Sequence, residues 1–140
     1  MKKLHTVLGV LAVLLMATAT QAQQIKMKAN VPFDFVAGDR AYPAGEYSLR
    51  PMAMDPVFLQ ITNVEKGTSS LLRSYGCSNA TPSTETKLVF RRIGDEYFLE
   101  QVWVEGRDSG RQFPVSRTET QLARNHEKSE VVIIAASLSN

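Results

Sequence analysis

The side chains with chemistry to offer are a serine, a cysteine, a histidine and a set of arginines. Ser109 stands in Gly106-Arg107-Asp108-Ser109-Gly110-Arg111. A serine nucleophile needs a base within hydrogen-bond reach and an acid that orients the base. Of the two histidines, His5 falls in an N-terminal leader, which leaves His126 as the one candidate base. A glycine-hinged loop explains the segment without catalysis, and the nucleophile-elbow spacing of one residue between each glycine and the serine is absent. We therefore expect no catalytic residues and no enzyme. A hydrolase using Ser109 and His126 stands as the third of three functional readings.

Metal and redox chemistry have even less to draw on. A Cys and His metal site needs several such ligands at close spacing, and Cys77 with His126 cannot supply them. Asp34, Asp39 and Asp108 do not recur at the alternating spacing of a calcium loop. No metal and no cofactor are expected. Cys77, in Tyr75-Gly76-Cys77-Ser78-Asn79, reads as a small packed residue.

Binding is better provided for. Arg107 and Arg111 lie beside Gly106 and Gly110, whose backbone amides could help hold an anion, so this pair is the candidate anion or partner contact. Nearby Glu105, Asp108, Glu119 and Glu127 also offer the arginines ordinary surface partners. Tyr47, Tyr97 and Trp103 are the candidate ligand contacts, as aromatic walls of a pocket at a barrel mouth. Each also sits in a strand pattern that accounts for it as core.

Those residues must be carried by strands. From Ile25 the odd positions Ile25, Met27, Ala29, Val31, Phe33 and Phe35 are apolar, and the even ones are mostly polar. Period-two alternation puts the apolar set on one face of an extended chain, and Pro32 should bend it or change its partners. Turns at Gly38-Asp39 and Pro43-Ala44-Gly45 lead to a strand over Glu46 to Arg50. Val57 to Thr62 and Thr68 to Tyr75 form a hairpin about Glu65-Lys66-Gly67. Gly76 to Glu85 reads as the longest loop.

Lys87 to Ile93 and Glu96 to Val104 flank the tight turn Gly94-Asp95. Both faces of the second strand carry apolar groups, Tyr97, Leu99 and Trp103 on one and Phe98, Val102 and Val104 on the other. Such a strand needs cover on both sides, from a helix, a second sheet or another subunit. Ser116-Arg117-Thr118-Glu119 has capping-box spacing and predicts a short helix to Arg124. Val131 to Ala136 is an unbroken run suited to a strand buried on both faces. The sum is an all-β, mainly antiparallel domain, a small sandwich or barrel of about seven or eight strands, with one short C-terminal helix before the last strand.

The start of the chain places this domain. Lys2 and Lys3, an apolar run from Val7 to Met16 and the small residues to Ala22 follow the order of a secretory signal. We expect a signal peptide over residues 1–22, cleavage after Ala22, a single β-rich domain over 23–140, and a periplasmic or secreted location. The apolar run is shorter than the ~20 residues that span a bilayer. Several strands also fall short of the ~9 to 11 residues a membrane barrel needs, so we expect a protein that does not span the membrane once cleaved. The two leader lysines account for the whole formal net charge of +2, leaving the domain near neutrality and without the basic excess of a nucleic-acid binder. One cysteine excludes an internal disulfide, so apolar burial and backbone pairing must hold the fold.

Val31-Pro32-Phe33-Asp34-Phe35, Pro43-Ala44-Gly45-Glu46-Tyr47, Leu88-Val89-Phe90-Arg91-Arg92 and Gly94-Asp95-Glu96-Tyr97-Phe98-Leu99, together with Gly110-Arg111 and Ser116-Arg117 to Leu122-Ala123, resemble a family of small exported bacterial β-rich proteins. The resemblance covers most of the domain. It implies export and a β-rich fold, and carries no activity or functional residues with it. From the residues themselves, the first functional reading is a non-enzymatic binding or envelope-interaction protein, acting on another envelope protein or by self-association. The second is a small-ligand carrier with a calycin-like barrel pocket.

Overall fold

The computed structural model describes residues 26–125 and 128–139. The leader and His126 lie outside the described residues. Among the described residues eleven strands and one helix follow in chain order: β1 (Lys26–Val31), β2 (Phe35–Ala37), β3 (Arg40–Tyr42), β4 (Gly45–Pro51), β5 (Phe58–Asn63), β6 (Ser69–Arg73), β7 (Tyr75–Ser78), β8 (Lys87–Ile93), β9 (Glu96–Trp103), β10 (Ser109–Gln112), α1 (Arg117–Asn125) and β11 (Ser129–Ser139). The all-β expectation with a short helix before the last strand holds. The strand count does not: there are 11 rather than seven or eight.

Local physics accounts for the surplus. Pro32 ends β1, and the chain resumes as β2 with new partners: β1 pairs with β11 and β4, β2 with β3 and β9. The turn at Gly38, at φ 60°, folds β2 against β3 as a short hairpin. Ser74 divides the predicted strand Thr68 to Tyr75. It is fully buried, and both its amide and its hydroxyl donate to the Val57 carbonyl, at 2.8 and 3.0 Å. Beyond it, Gly76 to Ser78, predicted as loop, join Tyr75 in β7, whose partner β10 begins inside the glycine-rich segment also predicted as loop.

The main ladder runs β3-β2-β9-β8-β11-β1-β4-β5-β6. Because β6 continues through Ser74 into β7, and β7 pairs with β10 and β10 with β9, the pairing leads back to its own middle. The sheet is curled and barrel-like. Inward positions form one apolar core, with Met27, Ala29 and Val31 from β1, Tyr47 and Leu49 from β4, Leu59 and Ile61 from β5, and Leu88, Phe90, Leu99 and Val102 from β8 and β9.

A register irregularity resets β9. Val89 pairs with Gln101 but its neighbour Phe90 pairs with Leu99, so Glu100 is an extra residue on the β9 side. The bulge flips the alternation, and Val102 joins Leu99 inside while Trp103 turns out to the same face as Phe98. The strand is covered on both sides as expected, by this chain itself: Phe98 and Trp103 are 2% and 3% exposed. On β11, Val132, Ile134 and Ala136 pack on the core. Val131 and Ile133 are 65% and 49% exposed, which corrects the expectation of a strand buried on both faces.

The helix forms where the capping box predicts it. Ser116 Oγ accepts from the Glu119 amide at 3.1 Å, and α1 packs against β8. Glu119 is buried near Arg91 and Glu100, which are themselves ion-paired. Burial raises its carboxyl pKa, the Arg91 charge offsets that in part, Glu100 adds to it, and the Ser116 backbone hydrogen bond lowers it.

Candidate cavity at one end of the barrel

Strand register sorts the inward side chains into two ends. Met27 pairs with Leu49, and Leu59 with Pro51 and Leu72, which gathers one end. Val31 pairs with Gly45, and Tyr47 with Asn63, at the other. In β9, Tyr97 lies toward the second end and Val102 toward the first.

The second end is filled by rings. Phe33 stacks on Tyr97 at 3.8 Å between centroids and meets Phe90 edge-on at 5.1 Å. Phe35 stacks on Tyr42 and meets Tyr47 and Phe90 edge-on, at 5.2, 5.2 and 5.3 Å. The Tyr47 hydroxyl donates to the Pro43 carbonyl at 2.6 Å and accepts from Asn63 Nδ2 at 3.1 Å. Burial raises the Tyr47 phenol pKa, and the Asn63 bond offsets it in part.

The first end is hollow. A cavity of about 620 Å³ has an apolar wall of Met27, Leu49, Pro51, Leu59, Val102 and Val104. Its remaining lining comes from β7, the β9–β10 connection and β10: Gly76, Cys77, Ser78, Arg107, Ser109, Gly110 and Arg111. That size is within the range of small-molecule sites, and an apolar wall with few polar groups is their usual make-up. Among the described residues no acidic side chain is in the lining.

Arg111 is the most constrained polar group there. Across the ladders it faces Val102 of β9 and Gly76 of β7. A Cβ built on Gly76 would meet nothing within 4 Å, so the β7 side leaves room opposite the guanidinium. Arg111 Nε donates to Ser74 Oγ at 3.1 Å, while its Nη2 is buried with no hydrogen-bond partner among the described residues. Gly110 next to it is needed for packing, because an added Cβ would lie 2.8 Å from the Trp103 ring.

The mouth is braced by the two loops beside it. Asn79 N donates to Asp108 O, Ser83 N to Arg107 O, Gly106 N to Ser83 O, and Glu105 N to Thr86 Oγ1, all between 2.8 and 3.0 Å. Among the described residues neither Arg107 nor Arg111 takes part in an ion pair, so the acidic neighbours in sequence do not neutralise them.

Both sequence candidates for anion contact, Arg107 and Arg111, line this cavity. The aromatic candidates lie elsewhere: Tyr47 and Tyr97 in the ring cluster, and Trp103 on the outer side, its Nε1 donating to Gln101 Oε1 at 2.9 Å. Ser109 lines the cavity, whereas His126 lies outside the described residues. Cys77 is half-buried, and burial raises its thiol pKa, offset in part by the Gly110 backbone and the Arg111 charge, which disfavours the reactive thiolate. Among the described residues no three His, Cys, Asp or Glu side chains gather to hold a metal ion, and no helix is long and apolar enough to cross a membrane. Sequence reasoning missed Met27, Leu49 and Leu59 as lining residues, because alternation marks them as core without telling a filled core from a hollow one.

Comparison with protein-family models, with curated proteins and with solved structures finds no match.

Proposed function

We propose that this protein is an exported, non-enzymatic carrier that binds a small, largely apolar molecule in the hollow end of its barrel-like sheet. The observation that carries the reading is the cavity of about 620 Å³, walled by aliphatic side chains from β1, β4, β5 and β9 and open to the chain's own polar groups only on the β7 and β10 side. A core that merely stabilised the fold would be close-packed like its other end. Export follows from the leader pattern in residues 1–22, and places the carrier in the periplasm or outside the cell.

The test is a titration of the purified protein with the neutral dye N-phenyl-1-naphthylamine, whose fluorescence rises in apolar surroundings. The carrier predicts a saturable rise at one dye per chain. A rise that never saturates, or none, contradicts it.

A second reading, self-association or docking to an envelope protein, rests on Val131 and Ile133, which stand exposed on the outer face of β11. The outer side of β9, the other reason to expect a partner, is already covered within the chain. Light scattering across a concentration series distinguishes the two: a fixed monomer mass removes self-association, and a rising mass supports it.

A further inference from the structure

Resting on the carrier reading, we infer that the ligand is an anionic amphiphile whose negatively charged oxygen head pairs with the Arg111 guanidinium on the polar side of the cavity, with its chain against Met27, Leu49, Leu59 and Val102. The guanidinium is built into the wall. Its Nε is tied to Ser74 Oγ, the Ser74 hydroxyl is itself spent on the Val57 carbonyl, and Ser74 is wholly buried where β6 passes into β7. A side chain held at Nε has lost most of its freedom before any ligand arrives, so a head group entering the cavity meets a preorganised charge.

That donor lacks a partner. Arg111 Nη2 is buried and no acceptor among the described residues reaches it. Guanidinium does not shed its proton in proteins, so the charge cannot be removed by a shift in protonation. Burying a donor without an acceptor is costly, and more so for a charged one. Among the described residues the lining offers two arginines, Ser78 and Ser109, and no carboxylate to neutralise them. Charge complementarity therefore selects an anion and rejects a cation. The aliphatic wall selects a chain rather than a sugar or a free inorganic ion, since a bare anion would leave the apolar space unfilled.

A carboxylate and a phosphate monoester present the same chemistry to a guanidinium, so both belong in the test. Dodecanoate, dodecyl phosphate, dodecanol and dodecyltrimethylammonium, all below their micellar range and at about pH 8 so that the carboxylate is ionised, compete against N-phenyl-1-naphthylamine on the purified full protein. We expect both anions to displace the dye at concentrations at least about tenfold lower than dodecanol, the margin of a charge-assisted hydrogen bond over a neutral one. The ammonium compound should compete least. Whichever anion binds more tightly names the head group. In Arg111→Met the anions should converge on the alcohol.

Dodecanol matching the anions in the wild-type protein overturns the inference and leaves the carrier standing. An undiminished anion preference in Arg111→Met overturns it too. Dye binding with no displacement by any of the four overturns the assignment to a single-chain amphiphile. Absence of saturable dye binding removes the carrier reading, and the inference with it. The wild-type head-group series decides the matter even if Arg111→Met fails to fold.

Discussion

At one end of the strands Phe33, Phe35, Tyr42, Tyr47, Phe90 and Tyr97 meet ring against ring, and at the other Met27, Leu49, Leu59 and Val102 surround about 620 Å³ of space. The same alternating strands supply both. What differs is the volume of the inward residue at each level: on β4 it is Tyr47 at the ring-filled end and Leu49 at the hollow one, and on β9 Tyr97 at the ring-filled end and Val102 at the hollow one. Rings that cross a narrow barrel touch, whereas aliphatic groups on its walls stop short. The polar residues follow the same division. Tyr47 and Asn63 satisfy one another at the packed end, while Arg111 at the hollow end keeps a buried donor unspent. One end has the marks of a structural plug and the other of a site, and each can be tested against the other.

The largest contrast should come from truncating one inward residue at each end. Phe90→Ala removes a fully buried ring that contacts Phe33 and Phe35, and should cost about 3–5 kcal/mol of unfolding free energy. Leu59→Ala, on a wall that already faces space, should cost only about 2 kcal/mol, since fewer partner atoms are lost. Urea denaturation of both variants measures this, and a Leu59→Ala loss as large as that of Phe90→Ala would mean the cavity end is packed after all.

A smaller effect, again at the packed end, is expected of Tyr47→Phe. It keeps the ring and strands both Asn63 Nδ2 and the Pro43 carbonyl, so a loss of about 1–3 kcal/mol should appear in the same assay. Dye binding at the far end should be untouched; a change there would show that the two ends are coupled.

Smallest is the pH response of Glu119, which belongs to neither end and serves as the control. Its folded-state pKa is raised, mainly by burial, so the folded protein holds this proton to higher pH than the unfolded chain does. The penalty of ionising it is absent below the unfolded pKa and present in full once pH has risen through the folded one. Glu119→Gln retains the capping geometry and should be more stable than the wild-type protein at neutral pH, the difference shrinking in acid. An unchanged pH profile of the melting temperature would show that Glu119 is not desolvated.

Much of the frame is legible in the chain. The alternation of Met27, Ala29 and Val31, the Gly94-Asp95 turn and the Ser116 to Glu119 box each rest on contacts within a few residues, and each appears in the structure. Features that depend on distant partners were not legible. Nothing local announces that Glu100 will bulge and send Trp103 outward, or that Ser109–Gln112 becomes a strand because Tyr75–Ser78 and β9 flank it. The exposed run on β11 misleads for a related reason: β-branched residues favour an extended backbone whether or not their outer face is covered. The site is half legible. Arg107 and Arg111 stand out by charge beside glycines, but the aliphatic wall exists only once four strands curl together.

The most direct measurement is dye titration of the Val104→Trp variant beside the wild-type protein. Val104 is half-buried at the cavity, and an indole there should occupy the space without disturbing the distant ring cluster. With the circular dichroism spectrum unchanged, the account predicts saturable binding at one dye per chain in the wild-type protein and its loss in Val104→Trp. Equal binding by the two folded proteins would contradict it.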